Sequence, residues 1–206
     1  MEKTNKDNVI DEIIEIDFEM FVQVNNRGGK AQCQSDYEGF KIYRYSYYYP
    51  WSLESLKIYL AFLKECVENE RNIMTEKYAY MMETTHPEEF MEIKKFIPEV
   101  REDKNLLINS LWEVQKNWIQ KFSLQYPNIL KHGRPITSQE NNNATSIENY
   151  FKSELKTYTM ELLNSLEKDH DEYLNSGKSM VEKQYEIMMK LKGFSSLEEA
   201  EMYARG

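Results

Sequence analysis

The chain has 206 residues, of which 41% are hydrophobic and 30% are charged, and its formal net charge is −9. This length is enough to bury a core without disulfides, and the acidic balance argues against nucleic acid as a partner because it would repel a phosphate backbone. Aromatic residues, at 13%, are too frequent for a disordered chain, and no apolar run approaches the roughly 18 residues that a membrane-spanning helix needs.

The cysteines and the first residues indicate the compartment. Cys33 and Cys66 are too few for a disulfide framework. Residues 1–12 are polar and lack the apolar region of a secretory signal. We therefore expect a cytoplasmic protein that does not bind a membrane.

Two helices are predicted in the first quarter of the chain. Apolar residues at helical spacing predict the first over residues 8–25. The second is predicted over 36–49, because Ser35 and Glu38 form a capping box at its start. A strand is the alternative for part of this second segment, since tyrosines alternate at Tyr43, Tyr45 and Tyr47.

Prolines divide the middle of the chain into further helices. Pro50, Pro87 and Pro98 each interrupt or begin a helix, because proline lacks the amide hydrogen that a helix interior uses. The spacing of apolar residues predicts helices over 53–70, 72–84, 87–96 and 105–125.

The second half contains one long loop and then helices to the end. The loop is predicted over 131–144, and Thr145 is predicted to cap a long helix over 146–174. Two more helices follow, over 179–192 and from Ser195. The chain is therefore predicted to be all-α, a single compact bundle of about six to eight helices that forms one domain over residues 1–206.

Charged residues on apolar helix faces are the first candidates for a site. Asp17 lies within the apolar face of the first helix, where a carboxylate is costly unless it is paired. Arg44 lies among aromatic residues and is the best partner, because guanidinium grips carboxylates and stacks on rings. The alternative to a ligand site is a structural ion pair that fixes how the helices pack.

Further acids repeat this pattern. Glu154 shares a core stripe with Tyr158, and a second stripe carries Glu76, Tyr80 and Glu83. Acids that face the interior from several helices would form a polar pocket inside a bundle. The alternative is that some of them face solvent.

The segment after the first helix is a candidate for anion binding. Paired glycines let backbone amides approach an anion, and a lysine adds positive charge. The alternatives are a helix end followed by a turn, and a buried, inert thiol at the cysteine. The candidate residues are Asn26, Gly28, Gly29, Lys30, Cys33 and Gln34.

Two Glu-x-x-His pairs raise a metal alternative. They are Glu83 with His86 and Glu167 with His170. Dimetal helical bundles use two such pairs with two further carboxylates. Pro87 follows His86 directly, which places the first pair at a helix end, and no metal or cofactor is expected.

Several segments together resemble a bacterial and archaeal family, the domain of unknown function 4125. This resemblance implies a single helical domain with no established chemistry. The family pattern includes Asp17, Arg44 and the Glu76–Glu83 stripe, and it does not feature His86 or His170. The segments that carry the resemblance are 17–21, 26–34, 40–44, 75–83, 133–135, 145–151, 154–155, 157–158 and 194–200.

Three functional hypotheses follow. The leading one is an intracellular domain that binds a small ligand, an enzyme among the options, with Arg44 and Lys30 holding an anionic group and the buried acids orienting it or exchanging protons. The second is a protein-interaction module, recognisable by an exposed aromatic patch over 43–51. The third is a carboxylate-bridged dimetal enzyme.

Overall fold

The computed structural model describes residues 4–25, 29, 32–131, 133–137 and 145–205, and this part of the chain contains helices and no strand. Two short 3-10 helices, Gln32–Ser35 and Lys94–Phe96, accompany eleven α-helices. In chain order these are Asn5–Val22 (α1), Tyr37–Tyr48 (α2), Leu53–Glu68 (α3), Ile73–Thr85 (α4), Pro87–Ile93 (α5), Glu102–Gln125 (α6), Pro127–Leu130 (α7), Ile147–Thr157 (α8), Met160–Asn175 (α9), Met180–Leu191 (α10) and Leu197–Ala204 (α11).

The all-α prediction is confirmed, but the expected count of six to eight helices is too low. The long helix predicted over 146–174 is divided, because Thr159 is extended and its side chain accepts a hydrogen bond from the amide of Leu162, which starts α9. A one-turn helix, α7, also begins at Pro127. Of the loop predicted over 131–144, residues 132 and 138–144 lie outside the described part.

Helix starts are set by side-chain caps, at positions slightly different from those predicted. The α1 helix begins earlier than expected, because Thr4 and Asp7 form a capping box. Asp36, rather than Ser35, caps α2 by accepting a bond of 2.9 Å from the amide of Gly39. A side chain at Gly39 would lie 2.3 Å from the Asp36 carboxylate, so this cap depends on glycine.

Seven helices surround the interior that matters for function. The α1 helix packs against α2, α3 and α4, and α4 packs closely along α8. The α6 and α10 helices close the other side, since α6 contacts α8 and α10 contacts both α2 and α6. No helix of the described residues is long and apolar enough to cross a membrane.

Candidate functional site

Asp17 and Arg44 meet in the interior, between α1 and α2. Both are buried, at 0% and 1% exposure. The Nε and Nη2 of Arg44 donate to Oδ2 of Asp17, at 2.9 and 2.6 Å. The hydroxyl of Tyr48 donates to the same oxygen at 2.5 Å, and that of Tyr59 donates to Oδ1 at 3.1 Å. Both oxygens of Asp17 are therefore engaged, and this end of the site is closed.

Glu154 extends the network to α8 and α4. Its Oε1 accepts from Nη1 of Arg44 at 2.6 Å and from the hydroxyl of Tyr158 at 3.0 Å. Its Oε2 accepts from the buried ammonium of Lys77 at 2.7 Å. Asp17, Arg44, Lys77 and Glu154 thus form a buried charge cluster with two positive and two negative groups.

Arg44 and Glu154 both carry their charges at neutral pH. Burial opposes ionisation of Glu154, but the nearby cations of Arg44 and Lys77 outweigh it and lower the pKa of Glu154 to about 2. Burial also disfavours the charged guanidinium, yet the carboxylates of Asp17 and Glu154 hold the pKa of Arg44 well above its usual value. Burial raises the pKa of the Tyr48 and Tyr158 hydroxyls, which therefore stay protonated.

Lys77, Tyr48 and Tyr59 were not among the site residues predicted from sequence. Lys77 lies one helical turn after Ile73 and one turn before Met81, both buried, so its place on the apolar face of α4 was a detectable signal. Tyr48 and Tyr59 are both fully buried, and a buried hydroxyl needs a hydrogen-bond partner.

A cleft of about 430 Å³ lies beside the buried charge cluster, and both Arg44 and Glu154 line it. Its walls come from α1, α2, α4, α6, α8 and α10 and from Leu130, Gly133 and Arg134. We call it the aromatic cleft, because eight aromatic side chains line it, among them Phe21, Phe40, Tyr43, Tyr47, Tyr150 and Tyr185.

Arg44 connects the charge cluster to the aromatic walls of the cleft. Its guanidinium carbon lies 5.6 Å from the ring centre of Tyr47 and 6.0 Å from that of Phe40. These contacts and the two carboxylates hold the guanidinium in a single orientation. An arginine has five N–H donors, and the described residues engage three of them in hydrogen bonds.

The predicted stripe on α4 does not join this site. Glu76 instead forms two bonds with Arg71, at 2.7 and 2.8 Å. The hydroxyl of Tyr80 donates to the carbonyl of Pro98, and Glu83 pairs with Lys156 near the surface. The stripe of Glu76, Tyr80 and Glu83 was assigned to the inner face of α4 incorrectly. Adjacent helix positions differ by about 100° in direction, so an error of one position places Glu76 on the inner face where Lys77 lies.

The predicted anion segment lies largely outside the described residues. This applies to Asn26, Gly28 and Lys30, and to the side chain of Cys33. Gly29 has a positive φ of 84°. Gln34 is buried and its amide donates to the carbonyls of Phe21 and Val24, so it caps the end of α1.

The metal alternative lacks a donor set in the described part of the chain. No group of three or more His, Cys, Asp or Glu side chains there is arranged to hold a metal ion. Glu83 is paired with Lys156, and His86 is exposed beside Thr85. Glu167 faces solvent, whereas His170 is buried and hydrogen-bonded to Leu166. The two Glu-x-x-His pairs therefore do not converge.

The aromatic run over 43–51 forms helix α2 and its end, not a strand and not an exposed patch. Tyr48 and Trp51 are buried at 0% and 3% exposure. Tyr47 and Tyr43 line the aromatic cleft, and Tyr43, with 37% exposure, lies at its accessible side.

Comparison with known proteins gives one family. The model of a family described as "Protein of unknown function (DUF4125)" matches residues 7–202. Neither the curated proteins nor the solved structures give a significant match to the chain.

Proposed function

The chain belongs to the DUF4125 family of proteins of unknown function, and we propose that it binds a flat aromatic small molecule in the aromatic cleft. One observation carries this proposal: a cleft of about 430 Å³ is lined by eight aromatic side chains and by Arg44, whose guanidinium is held by two carboxylates. Ligand sites are typically of this size, largely apolar, with a few fixed polar groups.

Aromatic side chains favour a flat aromatic ligand over a flexible chain. Phe21 and Phe40 already stack with ring centres 5.2 Å apart, and Tyr43 and Tyr47 have nearly parallel rings. Rings of this kind present faces and edges to a second ring system, and each such contact stabilises by about 0.5–1.5 kcal/mol beyond burial.

The polar group of the ligand is expected to be a hydrogen-bond acceptor that contacts Arg44. Because Asp17 and Glu154 compensate the charge of Arg44 and Lys77, the cluster as a whole is neutral. A carbonyl or ring nitrogen therefore suits the site at least as well as the anionic group expected from sequence.

Binding is better supported than proton transfer. A catalytic acid or base works best with a pKa near the working pH. The pKa of Glu154 is about 2, well below that range. Tyr47, Tyr48 and Tyr158 have pKa values raised by burial, well above it. The shift at Glu154 is thus opposite to the one that a buried general acid needs.

The closed Asp17–Arg44 pair supports a structural role for part of the cluster. Asp17 has no oxygen left for a ligand, since Arg44, Tyr48 and Tyr59 occupy both. Arg44 and Glu154 differ, because they also line the cleft. The cluster therefore serves to position Arg44, while the cleft provides the binding surface.

The structure also supports an expectation for the compartment and for the kind of partner. Cys66 is a buried free thiol, and burial raises its pKa to about 11, which suits a reducing compartment such as the cytoplasm. In the aromatic run over 43–51, Tyr48 and Trp51 are buried and Tyr43 and Tyr47 line the cleft, which favours a small ligand over a protein partner at this segment.

The test compares the variants Tyr43→Ala and Tyr203→Ala with the parent protein. Tyr43 lines the cleft, whereas Tyr203 is 77% exposed on α11. Thermal unfolding is recorded with 2-naphthamide and with 2-naphthoate, since a ligand that binds only the folded state raises Tm. We expect 2-naphthamide to raise Tm in the parent protein and in Tyr203→Ala, and to raise it less in Tyr43→Ala.

Three outcomes are informative. Equal shifts in Tyr43→Ala and Tyr203→Ala, or no shift with either probe at millimolar concentration, would contradict the proposal. A strong preference for 2-naphthoate over 2-naphthamide would instead identify the ligand as an anion.

A further inference from the structure

A second, much smaller chamber lies next to the aromatic cleft. The two share Tyr47, Gln115, Phe151 and Gln184 as wall residues, so they adjoin. The chamber measures about 20 Å³. A space of this size holds one water molecule or one small substituent.

His170 lines this chamber and is 6% exposed. Its ring stacks on Trp118, with ring centres 5.2 Å apart. Its Nδ1 lies 2.7 Å from the carbonyl oxygen of Leu166. Because a carbonyl oxygen only accepts, Nδ1 carries the proton, and Nε2 of the neutral ring bears an acceptor lone pair.

Nε2 of His170 is the unusual atom here. Among the described residues it is the one buried side-chain nitrogen or oxygen without a hydrogen-bond partner. Native interiors satisfy nearly all such atoms, and an exception points to a water, an ion or a functional role.

The ring is set up to accept a hydrogen bond at neutral pH. Burial lowers the pKa of His170, and the bond to Leu166 and the charge of Asp169 oppose this only in part. A metal ion is a poor candidate, since no further His, Cys, Asp or Glu side chains of the described chain complete a ligand set around it.

We propose that the chamber is a donor subsite, in which one small hydrogen-bond donor occupies the space and donates to Nε2 of His170. The donor is either a hydroxyl or amino substituent of the molecule in the aromatic cleft or a bound water. As a ligand subsite it rests on the function proposed above, and as a water site it stands independently.

The ligand arm of the test uses two matched probes, 2-naphthol and 2-methylnaphthalene, which differ in a hydroxyl donor. We expect the protein to bind 2-naphthol about 3- to 10-fold more tightly, the effect of one buried hydrogen bond. His170→Asn retains a donor for the carbonyl of Leu166 but removes Nε2, so it should abolish the preference. His86→Asn, at an exposed histidine, is the matched control and should retain it.

The second arm records ¹⁵N signals of the histidine rings, with His170→Asn identifying the signal of His170. If a substituent of the ligand is the donor, the ¹⁵N chemical shift of Nε2 changes to the value of a hydrogen-bonded nitrogen when 2-naphthol is added. It does not change when 2-methylnaphthalene is added. If water is the donor, Nε2 already has the chemical shift of a hydrogen-bonded nitrogen without any probe, and its signal shows magnetisation transfer from water.

The outcomes separate the two proposals. An Nε2 signal of a free lone pair, both alone and with bound 2-naphthol, would overturn the donor subsite while leaving the aromatic cleft intact. Failure of both probes to bind would count against the cleft. If neither probe binds but Nε2 is hydrogen-bonded to water, the chamber is upheld as a water site. If neither probe binds and Nε2 has a free lone pair, both the aromatic cleft and the donor subsite are overturned.

Discussion

Helix α4 has an inner face, which carries Lys77, and a solvent-facing flank, which carries Glu83. Both residues form ion pairs, but the two pairs differ in burial. Toward the interior, Lys77 joins Arg44 and Glu154 in the buried charge cluster, where each side chain is at most 4% exposed. Along the flank, Glu83 pairs with Lys156, and its side chain is 51% exposed. Both are acid–cation contacts of 2.6–2.7 Å.

Burial rather than residue type decides what these contacts contribute. An exposed ion pair is screened by water and contributes roughly 0–1 kcal/mol. Breaking a buried pair leaves an uncompensated charge in the interior, which costs about 3–5 kcal/mol. The interior contacts also hold Arg44 against the aromatic cleft, so the comparison bears on function as well as on stability.

The largest effect is expected from Arg44→Leu. This change leaves the carboxylates of Asp17 and Glu154 without their shared cation, and should lower the free energy of unfolding by about 3–5 kcal/mol in urea denaturation. Arg101→Leu is the control, since Arg101 pairs with Asp103 at 78% exposure and should change stability little. A loss below about 1 kcal/mol for Arg44→Leu would show that the cluster is not an energetic unit.

The pH dependence should come next in size. Folding lowers the pKa of Glu154 from 4.5 to about 2, so its contribution is complete above pH 4.5 and is lost as the pH falls toward 2. The shift corresponds to about 3 kcal/mol at neutral pH.

The measurement is the free energy of unfolding between pH 5 and pH 3, compared in the parent protein and in Glu154→Gln. Although the variant should be less stable at neutral pH, its stability should fall less steeply with acid. If the free energy of unfolding fell equally steeply with pH in the two proteins, Glu154 would have the same pKa in the folded and unfolded chains.

A smaller effect is expected from Tyr48→Phe, which removes one donor to Asp17 and keeps the ring. A hydrogen bond to a charged group contributes about 1.5–3 kcal/mol, and chemical denaturation should show a loss of that size. Tyr45→Phe is the matched change on the same helix, because Tyr45 donates to Asp7 at 2.6 Å in a half-buried setting. Equal losses at the two positions would contradict the idea that burial sets the strength of these contacts.

The smallest effect is expected from Glu83→Gln on the flank of α4. The pair with Lys156 is largely solvated, so the loss in free energy of unfolding should stay below about 1 kcal/mol and shrink further in high salt. A loss comparable to that of Arg44→Leu would remove the difference between the two regions.

Part of the site could be predicted from sequence for a simple reason. Asp17 and Glu154 each interrupt an apolar stripe, and a charge in such a stripe must find a partner. Arg44 was recognisable as that partner from its aromatic surroundings. Lys77 was missed and Glu76 chosen because neighbouring positions on a helix point in different directions, and sequence places a helix face only approximately.

The sequence by itself determined the all-α class and most helix ends, because apolar periodicity, prolines and capping side chains act within a few residues. It also determined that certain charges would be buried. Only the tertiary structure decided which charges pair, since Arg44 and Glu154 lie 110 positions apart and meet only because the fold turns α2 and α8 toward the same interior. The cleft and the chamber at His170 likewise arise from side chains of many helices, whose spacing no local pattern encodes.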